Sequence, residues 1–312
     1  GFFFMNVLIV GLGSIARKHI AALRQIEPGV CIYALRSSVL APVYEHVRNV
    51  FSLEELSSVC LDFAVISNPT AEHKKTIEAL LSLKCPLFIE KPLFHTLAVG
   101  KLLERVRQSG VLTYVACNLR FLECIRYVKS LLEERERRVN EVNVYCGSYL
   151  PEWRPGVNFK TVYSSRPELG GGVHIDLIHE LDYLYWLLGM PSDVHRVFRN
   201  SSSLGINAYD YANYCLEYED FCAEVVLNYY RRDARRTLEI VCEDGTWEVD
   251  LRENQVKKDG LVLFSSERRI ADTYLSQMEY FMELVKVHAE TSFNSFEEAL
   301  EVLKICLGDV ER

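Results

Sequence analysis

An aspartate and a histidine three positions apart are the side chains whose spacing most directly suggests chemistry. Asp176 and His179 follow three glycines in the segment Gly170-Gly-Gly-Val-His-Ile-Asp-Leu-Ile-His179. Residues three apart on a helix share a face. A neighbouring carboxylate can orient an imidazole and raise its basicity, as a general base requires. We therefore predict that His179 exchanges a proton with a substrate and that Asp176 orients the site.

Other interpretations of this segment remain open. Asp176 could simply start a helix, a histidine can be satisfied inside a core, and His174 is expected to be structural. The three glycines would let another backbone or a ligand approach closely. Asp182 extends the pattern to Asp-x-x-His-x-x-Asp, which could hold a metal ion. Because no further group of ligands accompanies it, we expect no metal.

A glycine turn near the N-terminus predicts a dinucleotide site. The apolar run 6–10 leads directly into Gly11-Leu-Gly13-Ser-Ile-Ala16, with a helix-like stretch behind it. Gly11 permits the tight turn, and Gly13 lets a pyrophosphate approach the backbone. Ala16 stands at the place of the third glycine of this motif. The free N–H groups at the start of a helix attract phosphate. The residues of this turn expected to bind the cofactor are Gly11, Gly13, Ser14 and Ile15, with the pyrophosphate on the last three.

A lysine follows another buried strand, in Pro86-Leu-Phe-Ile-Glu90-Lys91-Pro92. The carboxyl ends of parallel strands form the edge where ligands bind in open α/β sheets. A lysine at this edge can hydrogen-bond a substrate oxygen, so we predict a catalytic role for Lys91, and the Lys91–Pro92 bond could be cis. A surface lysine before a loop proline is the alternative. The residues also expected beside the cofactor here and one strand earlier are Asn68, Pro69, Glu90 and Lys91.

The residues after the second predicted strand bear on the choice of cofactor. NAD enzymes usually place an acid about 20 residues past the glycines, where it binds the ribose 2′-hydroxyl. This sequence has Arg36-Ser37-Ser38 there, and the nearest acid is Glu45. A 2′-phosphate needs a cation and hydroxyl donors, which Arg36 and Ser37 supply. We predict NADP(H) over NAD(H). Stacking of Arg36 on adenine, with either cofactor accepted, is the alternative.

The apolar runs predict two domains. Residues 1–118 alternate strand and helix, which predicts an α/β domain with a doubly wound parallel sheet. Residues 119–292 carry long period-two segments with short turns, which predicts an α+β domain with an open, mostly antiparallel sheet. A last helix within 293–312 is expected to pack back on the first domain. The predicted strands are 6–10, 30–35, 62–67, 86–90, 111–117, 140–149, 193–199, 211–219, 222–230, 235–242 and 246–251. The predicted helices are 14–26, 40–48, 71–83, 96–109, 121–136, 174–188, 271–289 and 295–307.

The composition excludes several classes of protein. The 312 residues carry 35 Lys and Arg against 43 Asp and Glu, a net charge of −8. Nucleic-acid binding needs a basic surface, so we expect none. No apolar run approaches the ~20 residues of a membrane span, and no signal peptide is expected. The ten cysteines include no CxxC pair, which favours free thiols in a reducing compartment. We therefore expect a cytoplasmic protein.

Four motifs together resemble the glucose–fructose oxidoreductase, inositol dehydrogenase and rhizopine catabolism (Gfo/Idh/MocA) family. They are GLGSIARKH at 11–19, EKP at 90–92, NLRF at 118–121 and GGGVHIDLIHELD at 170–182. The resemblance runs nearly end to end. It implies a Rossmann domain followed by an open sheet domain. It also implies NAD(P)-dependent hydride transfer at a hydroxyl or keto carbon of a sugar, an amino sugar or a nucleotide sugar.

By this resemblance, Lys91 is the lysine of EKP, Asp176 is the aspartate of the glycine-led helix, and His179 is its acid–base histidine. The spacing from Asp176 to His179 is one residue shorter than is usual in the family. The following His-x-x-Asp still aligns through Asp182. Glu180 occupies the shifted position and is therefore the alternative to His179 in the acid–base role.

The segment before the three glycines resembles a subgroup linked to bacterial surface-sugar biosynthesis. It reads Tyr149-Leu-Pro-Glu-Trp153-Arg154-Pro-Gly, and then Tyr163-Ser-Ser-Arg166. Trp153 could stack on a sugar ring, while Arg154 and Arg166 could hold a phosphate or carboxylate bidentately. A structured loop with exposed polar residues is the alternative. The residues expected to bind substrate are Arg120, Trp153, Arg154, Tyr163 and Arg166.

The expected partners are a sugar-type small molecule and further copies of the chain. The cluster Tyr229-Tyr-Arg-Arg-Asp-Ala-Arg-Arg236 is basic and aromatic. Given the overall acidity, a sheet edge or subunit interface is favoured there over nucleic acid. We expect a homodimer or homotetramer that forms through the C-terminal sheet.

Two other functions on the same fold remain as alternatives. One is a non-catalytic NAD(P)-sensing regulator, and the other is a redox-neutral NAD-dependent glycosidase. The presence of Lys91, Asp176 and His179 together favours an enzyme over a regulator. Turnover of the cofactor would distinguish the three.

Overall fold

The computed structural model describes residues 5–134 and 137–308. Two compact units divide these residues. Unit 1 comprises the chain up to Ala116 together with Tyr274–Glu301, and unit 2 comprises Cys117–Thr273 and the chain from Val302. Residues 135 and 136, where the predicted helix 121–136 was to end, lie outside the described residues, as do the ends of the chain.

Unit 1 is built on a six-stranded sheet in which every pair of neighbours is parallel. The strand order is β3-β2-β1-β4-β5-β6, so the chain winds outward on both sides of β1 and β4. This confirms the predicted doubly wound parallel sheet. The strands are β1 (Asn6–Val10), β2 (Cys31–Leu35), β3 (Val47–Val50), β4 (Phe63–Ile66), β5 (Leu87–Glu90) and β6 (Thr113–Ala116).

The helices of this half are close to the predicted ones. They are α1 (Ser14–Ile26), α2 (His73–Leu80) and α3 (Leu102–Ser109). Helix α3 starts later than the predicted 96–109, because Gly100 has a φ of +59° that a helix does not continue. The central strands are fully buried, and their aromatic rings pack edge-on around Phe281, with Phe63 at 5.1 Å and Phe88 at 5.4 Å.

The prediction of a helix over 40–48 is wrong. Residues 39–46 form turns and irregular chain, and strand β3 begins at Val47. Pro42 lacks a backbone N–H and disfavours the helical conformation at the residue before it. Leu40 is 89% exposed and Val43 is 82% exposed. The segment therefore has no buried apolar stripe that would stabilise a helix.

Unit 2 is built on an eight-stranded sheet with the order β14-β13-β12-β11-β7-β10-β9-β8. Only the central pair β7–β10 is parallel, which confirms the predicted mostly antiparallel sheet. The two last strands were not predicted. The strands are β7 (Val139–Tyr149), β8 (Asp193–Arg199), β9 (Tyr211–Glu217), β10 (Cys222–Asn228), β11 (Tyr230–Cys242), β12 (Gly245–Asp250), β13 (Gln255–Lys258) and β14 (Leu261–Ser265).

The predicted helix 174–188 is interrupted. Helix α5 ends at Asp176 and helix α6 begins at His179, because Leu177 adopts φ −98° and ψ 29° and caps the first helix. The helices of the second half are α4 (Glu123–Glu134), α5 (Val173–Asp176), α6 (His179–Leu188), α7 (Thr273–Lys286) and α8 (Phe296–Leu307). Helix α8 belongs to unit 1 through Glu301 and to unit 2 from Val302. None of the helices within the described residues is long and apolar enough to cross a bilayer.

Two buried ion pairs hold the first turn of α6. The guanidinium of Arg120 donates to both oxygens of Asp182, with N···O distances of 2.8 Å, and neither residue is exposed. Arg236 of β11 donates to both oxygens of Glu180, at 2.6 and 3.0 Å. Bidentate geometry of this kind joins α6 to two other parts of unit 2.

Replacing Arg120 by Met should destabilise unit 2 by about 3–5 kcal/mol, because Asp182 would keep a buried charge without its partner. All three tryptophans lie in unit 2, so denaturant unfolding followed by tryptophan fluorescence measures this unit. The exposed pair of Arg268 with Glu123 serves as the control, and Arg268→Met should cost less than about 1 kcal/mol. Equal losses in the two variants would contradict this account of the buried pair.

Candidate active site

The backbone after β4 packs closely against the glycine turn after β1. Gly11 has a φ of +91°, and a Cβ at this position would lie 2.3 Å from the backbone N of Asn68. Only glycine fits there. A Cβ on Gly13, in contrast, would meet no atom within 4 Å. The start of α1 has no side-chain cap and no acid in its first turn. Its N–H groups are therefore placed to receive an anionic group.

A cavity of about 700 Å³ adjoins this turn, and we call it the glycine-turn cavity. It lies at the carboxyl ends of β1, β2 and β4. Its walls include five residues that the sequence predicted to contact a cofactor: Gly11, Arg36, Ser37, Asn68 and Pro69. The other predicted phosphate contacts, Ser14 and Ile15, begin α1 directly after Gly13. The volume and the donors fit part of a dinucleotide.

Arg36 brings a positive charge to the glycine-turn cavity. Its Nη1 donates to the carbonyl oxygen of Pro42 at 3.0 Å and lies 3.4 Å from Oδ1 of Asn49. Both acceptors are neutral, and no carboxylate of the described chain forms an ion pair with this guanidinium. The charge at the end of β2 is therefore available to a phosphate on a ligand.

The carboxylate of Glu90 is engaged within unit 1. His19 of α1 places its Nε2 2.5 Å from Oε1 of Glu90, and both side chains are buried. The ring of His19 also packs edge-on against Phe88 at 4.8 Å. This contact joins the end of β5 to α1, directly before Lys91. Glu90 therefore has a supporting contact that the sequence did not predict.

Lys91 lies at the carboxyl end of β5, as predicted, and its bond to Pro92 is cis. Lys91 is half-buried, whereas the next three residues, Pro92, Leu93 and Phe94, are buried. His73 braces this loop from α2, with Nδ1 3.0 Å from the carbonyl oxygen of Leu93 and Nε2 3.0 Å from that of Asn68. Burial lowers the pKa of His73. The neutral ring can donate to only one of these carbonyls at a time.

Unit 2 contains a pocket of about 160 Å³, which we call the Asp176 pocket. It brings together four residues that the sequence singled out: Trp153, Arg154, Tyr163 and Asp176. Its remaining wall is formed by Leu150, Pro151, Val157, Phe159, Val162 and Ser164. An aromatic wall beside a carboxylate and a guanidinium suits a compact polar ring.

The glycines before α5 let the pocket wall close on this helix. A Cβ on Gly171 would lie 2.1 Å from the carbonyl oxygen of Tyr163, so the chain at Tyr163 can approach only because this residue is glycine. Within 171–182, only Asp176 and His179 are partly exposed. Asp176 accepts a hydrogen bond of 2.6 Å from the hydroxyl of Tyr229. His179 opens α6 and is not on the same helix as Asp176.

The structure gives three predicted site residues partners within the chain. Arg120, predicted to bind substrate, is fully buried and bonded to Asp182. Glu180, the alternative to His179 in the acid–base role, is also fully buried and is paired with Arg236. Arg166 does not line the Asp176 pocket, and its Nε lies 2.7 Å from Glu168.

Tyr229 is a residue of the pocket region that sequence reasoning missed. The sequence placed it in a cluster for a sheet edge or an interface, yet its side chain is fully buried behind Asp176. Its apolar neighbours in β10 were the available signal that this position points inward. Nothing in the sequence pairs it with Asp176, which is 53 residues away.

Comparison with known proteins identifies the class to which this fold and these cavities belong. Residues 5–117 match the Gfo/Idh/MocA oxidoreductase family with its NAD-binding Rossmann fold, and residues 125–248 match the C-terminal domain of that family. The chain belongs to this oxidoreductase family.

Individual relatives are distant. An inositol 2-dehydrogenase of Acidiphilium cryptum is 25% identical over 59% of this chain and 54% of its own length. An uncharacterised oxidoreductase of Bacillus subtilis, YrbE, is 26% identical over 63% of this chain and 57% of its own length. The matched region thus spans little more than half of either relative. The structure of a levoglucosan dehydrogenase in complex with NADH has a TM-score of 0.84 at 16% identity, covering 97% of this chain and 95% of that one.

The pH dependence of stability should report His174. Its ring packs against Phe198 at 5.0 Å, and burial lowers its pKa from 6.5 to about 4, although the charge of Asp176 acts in the opposite direction. The unfolded state therefore binds more protons between these two pH values, and stability falls as the pH drops through this window. The total loss should be about 3 kcal/mol, because lowering a pKa by one corresponds to about 1.4 kcal/mol.

The measurement is denaturant unfolding of unit 2 by tryptophan fluorescence at several pH values between 7 and 4. His174→Phe keeps an aromatic ring and removes the titrating group, so its stability should fall less than that of the wild type. Parallel curves for the two proteins would show that His174 does not contribute.

Proposed function

We propose that this protein is an NAD(P)-dependent dehydrogenase that acts on a hydroxyl or keto carbon of a sugar-type molecule. The observation that carries the proposal is the Asp176 pocket, where a carboxylate lies beside aromatic walls in the second unit of a chain whose first unit has the NAD-binding fold. The relatives named above as dehydrogenases of inositol and levoglucosan act on polyhydroxylated rings. Carboxylates and aromatic faces are suited to such ligands.

The proposed chemistry assigns one role to each polar group. A bound nicotinamide nucleotide would supply the hydride chemistry. The ammonium of Lys91 hydrogen-bonds the reacting oxygen and favours its negative charge. His179 takes the hydroxyl proton or returns it, and Asp176 binds and orients the sugar. Residues at the glycine turn, among them Gly11, Gly13, Ser14 and Ile15, would hold the nucleotide.

We infer a preference for NADP(H), with NAD(H) as the alternative. The support is the guanidinium of Arg36, which has only neutral acceptors, together with the hydroxyl of Ser37 in the glycine-turn cavity. We also infer that the substrate carries an anionic group near Arg154, since Arg120 and Arg166 are engaged with Asp182 and Glu168.

We further infer a cytoplasmic homodimer or homotetramer. The ten cysteines are free, as expected in a reducing compartment. On the neighbouring strands β7 and β10, buried residues alternate with partly exposed ones such as Asn143, Glu224 and Val226. This half-exposed face of the C-terminal sheet is the surface through which we infer that copies of the chain associate.

Lys91→Ala and His179→Ala should each lower kcat about 100-fold or more, the usual effect of losing an acid–base or oxygen-binding group. The dissociation constant of the cofactor should change little. His195→Ala, an exposed histidine of β8, is the control and should keep wild-type turnover. Steady-state kinetics on the best sugar provides the measurement. Wild-type turnover in His179→Ala would contradict the assignment of the acid–base group.

Arg36→Ala should weaken NADP(H) binding about tenfold and leave NAD(H) binding nearly unchanged, because only NADP(H) has the 2′-phosphate. Titration of both cofactors into both proteins, followed by fluorescence or calorimetry, gives the four dissociation constants. Tighter binding of NAD(H) by the wild type, or an equal loss for both cofactors in the variant, would contradict the inferred preference.

A further inference from the structure

Tyr229 occupies a rigid position between strands β10 and β11. Its side chain is fully buried. Its backbone N–H donates to the carbonyl oxygen of Asp210 at 3.0 Å, and its own carbonyl oxygen accepts from the N–H of Leu150 at 2.8 Å. The main chain of Tyr229 is therefore held on both sides, which fixes the position from which the phenol side chain extends.

The phenol lies directly behind the Asp176 pocket. Its hydroxyl donates to Oδ2 of Asp176 at 2.6 Å, which is short for a hydrogen bond and typical of a charged acceptor. The ring meets Trp153 edge-on, with the two ring centres 5.4 Å apart. Asp176 and Trp153 both line the pocket, so one buried side chain supports two of its walls.

The protonation state of Tyr229 suits this role. Burial raises the pKa of the phenol well above its usual value, and the negative charge of Asp176 raises it further. The hydroxyl is therefore protonated at neutral pH. A protonated hydroxyl that donates to a carboxylate oxygen fixes the direction of that carboxylate.

We propose that Tyr229 is a positioning residue, whose buried hydroxyl holds the Asp176 carboxylate in one orientation toward the ligand in the Asp176 pocket. This proposal rests on the proposed function, because the ligand is taken to be the sugar. Tyr229 itself does not contact the reacting atoms. The effect of Tyr229 on catalysis is transmitted through Asp176.

A purely structural role is the competing explanation, and the chain offers a matched control for it. Tyr214 of β9 is equally buried, and its hydroxyl donates to the carbonyl oxygen of Cys306 at 3.1 Å. It does not line the Asp176 pocket. Tyr229→Phe and Tyr214→Phe therefore remove the same atom from two equally buried rings, and only one of these atoms contacts Asp176.

The first test is a double-mutant cycle on sugar turnover. Tyr229→Phe should lower kcat/KM about 10- to 100-fold, as expected for the loss of a hydrogen bond to a charged group, while cofactor affinity stays unchanged. Tyr214→Phe should stay within about twofold of the wild type. On an Asp176→Asn background, Tyr229→Phe should add little further loss if it acts through Asp176. An equal loss on both backgrounds would overturn the proposal.

The second test needs no substrate. In the protein labelled with ¹³C at aspartate side chains, the carboxyl signal of Asp176, assigned by its absence in Asp176→Asn, should shift and broaden in Tyr229→Phe and stay in place in Tyr214→Phe. An unchanged signal in Tyr229→Phe would overturn the positioning role. Failure of the wild type to turn over any sugar would instead contradict the proposed function, and the carboxyl signal would still decide the role of Tyr229.

Discussion

The first turn of α6 depends on two buried arginine–carboxylate pairs. Glu180 is held by Arg236 and Asp182 by Arg120, all four with little or no exposure. A buried charge that loses its partner is costly, so the turn has one favourable placement. His179 opens this turn and is the residue of it that reaches solvent. The four paired charges thus neutralise one another, and they hold the backbone that carries the imidazole of His179. A fixed position of this kind is what acid–base chemistry requires.

In unit 1, buried histidines rather than ion pairs with arginine hold the backbone. His19 contacts Glu90 at the end of β5, and His73 contacts the backbone after β4 and after β5. Lys91 and Asn68 are carried on the same two loops. In each unit, therefore, buried ionisable side chains hold the backbone next to partly exposed groups to which the proposed function gives roles.

The sequence predicted the parts of the site in which backbone geometry dictates residue type. Gly11 and Gly171 can be recognised in the sequence, because another chain segment approaches each of them so closely that no side chain fits. The roles of Arg120 and Glu180 could not be predicted, since their partners are 62 and 56 residues away and burial alone separates a structural charge from a functional one. The helix predicted over 40–48 was wrong for a related reason: the sequence does not show that Leu40 and Val43 stay exposed.

The proposed activity is the oxidation or reduction of a sugar-type molecule with a nicotinamide cofactor. The most direct measurement is the absorbance of reduced nicotinamide when the wild-type protein meets a panel of neutral sugars, sugar acids, sugar phosphates and nucleotide sugars, with NADP or NAD. We expect stoichiometric cofactor reduction with at least one member of the panel, and the reverse reaction with the corresponding keto sugar. Tight cofactor binding without any change in its redox state across the panel would contradict it.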